Sequence, residues 1–241
     1  MLYAEALSAA AELYTLPELD KEAAAIRAVV RKQSFDGDFF IDNAVRENGA
    51  LRITGKHTEV AQYYALFFDC AEPKRDPQFW NTLLTRFGPT RDNKTVYPDV
   101  PRANAFIGNY LRIELLSREA RCRQLRDEIA DFFVYMADRT GTLWENTHDL
   151  ASCDHGFASH AAHTLLRDML GIYRVDAPGK TVVLRFADTG LDWCEGAVPV
   201  PGGMVSLSWR IEDGKTVWRA SVPEGWKLAV ENPGGLKLER R

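Results

Sequence analysis

The hydrophobic period of this chain changes once, between Val175 and Lys180, and that change limits the possible folds more than any other feature. Beyond it, Val182, Leu184 and Phe186 are separated by single residues, which is the pattern of a strand with one buried face. Asp213-Gly214 separates two more alternating runs and predicts a hairpin. Five or six short strands in about 65 residues predict a small antiparallel β-sandwich over residues 176–241.

Residues 1–175 instead have the 3–4 spacing of amphipathic helices joined by loops of uneven length. Pro17 follows Thr15 in a capping-box pattern, Thr58 precedes another helix start, and Gly141 and Gly171 are natural helix ends. Helices are predicted over residues 2–14, 17–33, 58–70, 77–87, 103–116, 118–138 and 156–170. The chain is therefore predicted to be mainly α with a β tail, with domains at 1–175 and 176–241.

Composition and charge exclude several classes of function. The net charge is −4 and no run of five or six like charges occurs, so nucleic acid and anionic membranes are not expected partners. The longest apolar run, Tyr63 to Phe68, is too short to span a bilayer. The four cysteines form no C-x-x-C pair, and no two histidines have metalloprotease spacing, so neither a metal nor another cofactor is expected.

One loop concentrates the residues that could carry chemistry. Six of its residues fall within twelve positions: Trp144, Glu145, His148, Asp149, Asp154 and His155. A tryptophan beside a glutamate can bind a sugar ring and raise a carboxyl pKa by desolvation. The residues alone leave alternatives open, because a loop glutamate is most often solvated, Trp144 could be core, and His148 and Asp149 could be loop surface. Asp99 and Asn104, in the preceding long loop, could line a cleft or simply be polar loop residues.

This segment resembles the C-terminal third of family 78 glycoside hydrolases, the bacterial α-L-rhamnosidases. In that family a Gly-(Thr)-x-x-Trp-Glu segment is followed by a Ser-x-x-His helix start, and the matching residues here are Gly141, Trp144, Glu145, Ser152 and His155. Three further segments look like the family's helices and its sandwich: FFIDNAVRENGALRITGKHTEVAQYYALFF, YPDVPRANAFIGNYLRIELL and VPVPGGMVSLSWR. The resemblance covers nearly the whole chain.

The resemblance implies an (α/α)6 toroid, here incomplete, followed by the β-sandwich, and an inverting mechanism without metal. Glu145 would be the general base that activates water, His155 would contact sugar hydroxyls, and Trp144 would shape the subsite. Asp99 and Asn104 are the remaining candidate substrate-binding residues. The implied partner is a rhamnose-containing carbohydrate.

The sequence departs from the family at the general acid. The family's acid lies in a D-x-x-x-x-E-R-x-x-D-like segment, which this sequence lacks, and nothing in the context of Asp36, Asp38 or Glu114 supports a substitute. We therefore expect a C-terminal piece of a longer enzyme that is inactive alone and could self-associate through helix faces left exposed. The alternatives are a non-catalytic carbohydrate-binding or scaffold module, and a related toroidal glycosidase with another sugar specificity.

Overall fold

A computed structural model describes residues 1–146 and 151–241. In these ranges the α-helices are α1 (Leu2–Tyr14), α2 (Pro17–Ser34), α3 (Glu59–Phe67), α4 (Pro77–Arg86), α5 (Ile107–Arg118), α6 (Cys122–Thr140) and α7 (His160–Thr164). The strands are β1 (Ala44–Glu47), β2 (Ala50–Ile53), β3 (Ile172–Asp176), β4 (Thr181–Arg185), β5 (Trp193–Val200), β6 (Gly203–Glu212), β7 (Lys215–Ser221), β8 (Lys227–Glu231) and β9 (Leu238–Arg240).

Most helix boundaries follow the local signals in the sequence. The Thr58 hydroxyl accepts a hydrogen bond from the Ala61 N–H at 3.3 Å, which confirms the predicted start of α3. Gly141 ends α6 in the left-handed conformation, as predicted. The capping box predicted at Thr15 is wrong: Leu16 is the N-cap of α2 and makes no side-chain cap. The reason is that Thr15 ends α1 with φ of 58°, so it belongs to the preceding helix.

The helical half also contains a hairpin that the hydrophobic pattern does not reveal. Strands β1 and β2 pair antiparallel, with Glu47 opposite Ala50. Asn48 and Gly49, predicted only as a turn, join them with φ of 51° and 83°. The side chains of the two strands are largely exposed. Only Leu51 and Ile53 alternate with a polar residue, and a run of four residues is too short to identify a strand by its period.

The predicted final helix, over residues 156–170, consists of three short segments of different helical type. A 3-10 turn (Gly156–Ser159) precedes α7, and a π-helical segment (Leu165–Leu170) follows it. The segment ends at Gly171, where φ is 99° and a Cβ would lie 2.8 Å from the Arg185 carbonyl oxygen. Glycine is therefore required at this entry into the sheets.

Two sheets follow, of order β3-β4-β8 and β5-β6-β7-β9. Both contribute to one hydrophobic cluster that includes Leu184 from the first sheet and Leu207 and Trp209 from the second. The prediction of an antiparallel module is correct for β3–β4, β5–β6 and β6–β7 but wrong for β4–β8 and β7–β9, which are parallel. The chain leaves β7 for the other sheet before it forms β8, and this crossover brings β8 alongside β4 in the same direction.

The chain forms two compact units. Unit 1 comprises Met1–Leu115 with Trp144–His155, and unit 2 comprises Leu116–Leu143 with Gly156–Arg241. Unit 1 has an aromatic-rich core with Phe40, Tyr63 and Phe79 among its members. The domain boundary at 175/176 stays a prediction. No helix within the described ranges is long and apolar enough to cross a membrane.

Candidate functional site

The Trp144-Glu145 pair is held by the main chain from two sides within unit 1. The Glu145 N–H donates to the Ser152 carbonyl at 2.9 Å, and the Glu145 carbonyl accepts from the Ala105 N–H at 3.1 Å. Glu145 is half-buried. The position of its backbone is therefore set by two segments far apart in sequence.

Trp144 is only 1% exposed and is the largest fully buried side chain of the described residues. Its indole packs in the interior and anchors the backbone next to Glu145. The structure thus gives Trp144 the core position that the sequence left open. Its contact with a sugar stays a prediction.

His155 lies against the same loop that holds Glu145. Its imidazole is half-buried, and its centroid lies 4.6 Å from that of the Phe106 ring, at an interplanar angle of 54°. Ala105, next to Phe106, donates the hydrogen bond to Glu145. The structure therefore attaches two of the predicted site residues to consecutive residues of one loop.

Asn104 precedes these contacts and has a structural task of its own. Its side-chain oxygen accepts from the Gly108 N–H at 2.7 Å, which caps the start of α5. Helix α5 therefore begins at Ile107 rather than at Ala103, where the sequence predicted it, and residues 103–106 stay available for contacts with other segments.

Asp99 is exposed, in a turn closed by the Val100 N–H donating to the Tyr97 carbonyl at 3.0 Å. Within the described ranges no hydrogen bond or ion pair connects Asp99 to Glu145, so its place in a site stays a prediction. Two further residues of the sequence motif, His148 and Asp149, lie outside the described residues.

A buried carboxylate, Glu59, organises the loops that lead to the site. It is 1% exposed, accepts from the Tyr63 hydroxyl at 2.6 Å and the Gly88 N–H at 3.0 Å, and pairs with Arg91 at 3.1 Å. Its second oxygen lies 3.4 Å from the Ala103 nitrogen, two residues before the contact with Glu145. Glu59 thus connects the start of α3 to the loop that holds Glu145.

Arg112 extends this network from α5. Its guanidinium donates to the Tyr63 hydroxyl at 3.0 Å and to the Leu83 carbonyl at 2.7 Å, and the residue is 3% exposed. Sequence reasoning missed Glu59, Arg91 and Arg112 as structural centres. The only sequence signal was the place of Glu59 in a first helical turn, which indicates a helix start and not burial.

Asp36 already has hydrogen-bonding partners that do not suit a general acid. Burial acts to raise the pKa of Asp36, but hydrogen bonds from the Phe39 and Asp38 N–H groups and from His57 outweigh it and lower the pKa. The His57 ring nitrogen lies 2.7 Å from the carboxylate. An acid with a lowered pKa is ionised near neutral pH and has no proton to give.

Residues 1–146 and 151–241 contain no group of three or more His, Cys, Asp or Glu side chains arranged to hold a metal ion.

Comparison with solved structures identifies a similar protein, a family GH78 rhamnosidase of Bacillus sp. GL1. The TM-score is 0.76, the sequence identity is 21%, and the match covers 93% of this chain and 24% of that one. The fold is GH78-like. The chain spans about a quarter of the length of that rhamnosidase. No protein-family model matches the sequence, and no curated protein matches it.

The GH78-like fold agrees with the element content, in which helices precede two sheets that share a core. It places the Glu145 loop within a fold also found in a glycoside hydrolase.

Proposed function

We propose that this chain is the C-terminal part of an inverting α-L-rhamnosidase-like glycoside hydrolase, with Glu145 as the general base. The observation that carries the proposal is the GH78-like fold over 93% of the chain, within which the Trp144-Glu145 motif is held by Ala105 and Ser152. In this proposal residues 1–175 close an (α/α)6 toroid and residues 176–241 form the sandwich after it.

The proposed chemistry requires one base and one acid on opposite faces of the sugar. Glu145 takes a proton from water, the water oxygen bonds to the anomeric carbon, and the glycosidic bond breaks as the acid protonates the leaving oxygen. Inverting enzymes keep the two carboxyl groups about 6.5–9.5 Å apart to admit this water. We assign the acid to a part of the parent enzyme upstream of this chain. The chain alone should therefore not hydrolyse the glycoside.

The remaining site residues position rather than react. His155, in tilted contact with the Phe106 ring, would donate a hydrogen bond to a sugar hydroxyl, and buried Trp144 would fix the position of the Glu145 backbone. The amide nitrogen of Asn104 is available to a ligand because the cap uses only the side-chain oxygen. Asp99, exposed in its turn, is the most peripheral candidate.

Glu145→Gln in the full-length parent tests the assignment. We expect kcat on an aryl α-L-rhamnoside to fall by about two to four orders of magnitude, because a general base contributes about that much. Asp154→Asn is the matched control, since Asp154 is an exposed carboxylate of the same loop with no proposed role. Near-normal kcat in the Glu145 variant would end the proposal.

The two rival functions predict different outcomes in the same experiment. A non-catalytic carbohydrate-binding module would bind L-rhamnose in calorimetry and show no hydrolysis in the full-length protein. A toroidal glycosidase of other specificity would cleave another aryl glycoside and lose that activity in Glu145→Gln.

We also propose that α1 contacts a neighbouring protein surface in the complete assembly. Leu2, Tyr3, Leu13 and Tyr14 are each more than 60% exposed on this helix. Such a surface favours association, so the isolated chain should self-associate. Sedimentation velocity checks this, and a Leu13→Glu/Tyr14→Glu variant should restore the monomer.

A further inference from the structure

The outward face of the sheet β5-β6-β7-β9 carries an exposed tryptophan beside polar side chains. Trp193 is 64% exposed at the start of the edge strand β5, whereas Trp209 and Trp218 of the same sheet are 7% and 5% exposed. Side chains alternate across a sheet, so Trp193, Glu195 and Ala197 point away from the shared core. Tryptophan is enriched at interaction surfaces because its ring is apolar and its N–H can donate a hydrogen bond.

The strand register places complementary polar groups in a row beside this indole. Glu195 pairs across the sheet with Ser208, and Ser208 pairs with Arg219. The next row on this face contains Ser206 and Ser221, whose hydroxyls are 2.7 Å apart. A carboxylate, a guanidinium and three hydroxyls thus surround one stretch of the strand surface.

The two charged groups of that row are not neutralised by each other. Glu195 and Arg219 are separated by strand β6, and two strand spacings amount to about 10 Å. Within the described part of the chain neither has an ion-pair partner, whereas the neighbouring Arg210 and Arg241 both pair with Glu212. The Glu195 carboxylate, an acceptor, and the Arg219 guanidinium, a donor, therefore both face solvent, on either side of Ser208.

These residues line two shallow, open grooves. A groove of about 500 Å³ includes Trp193, Glu195 and Arg219 in its lining. A second groove of about 530 Å³ shares Glu195 and Arg219 with the first and continues to Ser221. The size suits a small ligand, since ligand sites commonly measure about 300–1,000 Å³.

We propose that this face is a binding site for a neutral saccharide, separate from the Glu145 loop. A sugar ring has an apolar C–H face that stacks on an indole, and hydroxyls that both accept from a guanidinium and donate to a carboxylate. The mixture of three arginines with Glu195 and Asp192 in the first groove gives no strong charge of one sign, which disfavours phosphate and nucleic acid. The site lies beyond the proposed catalytic function and does not depend on it.

The test follows the indole N–H resonance of Trp193 by NMR, assigned from its loss in Trp193→Phe. The probes are methyl glycosides of L-rhamnose, D-glucose, D-galactose, D-mannose and D-xylose. We expect a saturable shift of this resonance with at least one probe, at a Kd of about a millimolar. Trp193→Ala lacks this reporter, so its binding is followed at the backbone amide resonances of Glu195 and Arg219. Trp193→Ala should abolish binding, Arg219→Ala should weaken it about tenfold, and Tyr14→Ala, an exposed aromatic on α1, should leave it unchanged.

The five remaining indole resonances report that Trp193→Ala is folded, so loss of binding is not confused with unfolding. Three results would overturn the proposal: no saturable shift with any probe, unchanged affinity in Trp193→Ala, or a shift that follows protein concentration rather than sugar. The second would place the sugar elsewhere, and the third would make the face an interface between copies. Glu145→Gln should leave binding at Trp193 intact, so failure of either proposal is distinguishable from failure of the other.

Discussion

The Glu59 network of unit 1 and the shared core of the sheets in unit 2 bury different kinds of side chain. Unit 1 encloses an ion pair between Glu59 and Arg91, whose side chains are each 1% exposed, within a hydrogen-bonded network. The sheets of unit 2 enclose an apolar cluster in which Leu184 is 0% and Leu207 2% exposed. A core of alternating apolar residues is visible in a sequence, whereas a buried glutamate looks like any surface glutamate. The buried ion pair also has a task that the apolar cluster lacks, because it orders the loop that contacts Glu145.

The strongest effect should come from removing the buried carboxylate of unit 1. Glu59→Ala leaves Arg91 charged and buried without its partner, so we expect a loss of about 3–5 kcal/mol in the free energy of unfolding. Urea unfolding followed at the indole resonances of Trp80 and Trp144 reports on unit 1 alone. Glu47→Ala, which removes an exposed pair with Arg52, is the control and should have no measurable effect. A similarly small effect for Glu59→Ala would refute the structural role of the network.

Leu184→Ala should destabilise unit 2 by about 2–5 kcal/mol, because it opens a cavity in the shared core of the sheets. The reporters are the indole resonances of Trp209, Trp218 and Trp226. Val175→Ala, at a position 38% exposed, is the matched control. If Trp80 and Trp144 lose their native signals at the same urea concentration as these three, the two units unfold together and the contrast between them fails.

The labelling rates of two buried thiols, one in each unit, report how readily each unit opens. Burial raises the pKa of Cys70 in unit 1, and burial followed by the charge of Asp168 raises the pKa of Cys122 in unit 2 to about 12. Both should resist iodoacetamide in the native chain. Glu59→Ala should accelerate labelling of Cys70 about tenfold or more and leave Cys122 protected, and Leu184→Ala should do the reverse. Equal acceleration of both thiols in either variant would contradict independent opening.

The smallest effect is a change in acid sensitivity within unit 1. Burial acts to raise the pKa of Asp76, but hydrogen bonds from Arg31, the Glu72 N–H and Arg75 lower it overall from 3.8. A lowered folded-state pKa contributes stability that is present above the unfolded pKa and disappears as the pH falls through the folded value. Asp76→Asn should therefore be less stable than the native chain at pH 7, and the gap should close below about pH 4. A gap in urea midpoint that is constant from pH 7 to pH 2.5 would exclude this origin.

The sequence predicts those parts of the fold that rest on local chemistry. The end of α6 at Gly141 and the start of α3 at Thr58 require only neighbouring residues, and both predictions are confirmed. The alternation after Val175 likewise marks strands of the tail such as β4 and β6, but β3 begins before it, at Ile172. Parallel pairing of β4 with β8 depends on a crossover between sheets, which leaves no periodic signal. The strands of the exposed hairpin β1–β2 have only four residues each, too few for the alternation of Leu51 and Ile53 to identify a strand.

The candidate site also has a part that the sequence predicts and a part that it does not. The motif identified Glu145 and His155 as neighbours in sequence, and the structure attaches them to Ala105 and Phe106. Those contacts join segments about forty residues or more apart, which no local pattern encodes. The support from Glu59 is a tertiary property as well, since its carboxylate contacts Tyr63 of α3 and both ends of the long loop between α4 and α5.

The most direct test of the proposed base is chemical rescue in the full-length parent carrying Glu145→Ala. Azide attacks the anomeric carbon without losing a proton, so it needs no general base. If Glu145 is the base, azide should restore turnover of an aryl α-L-rhamnoside and yield the β-rhamnosyl azide, while Asp154→Asn shows full activity without azide. Retained activity of the variant without azide, or an inactive variant that azide does not rescue, would contradict the account.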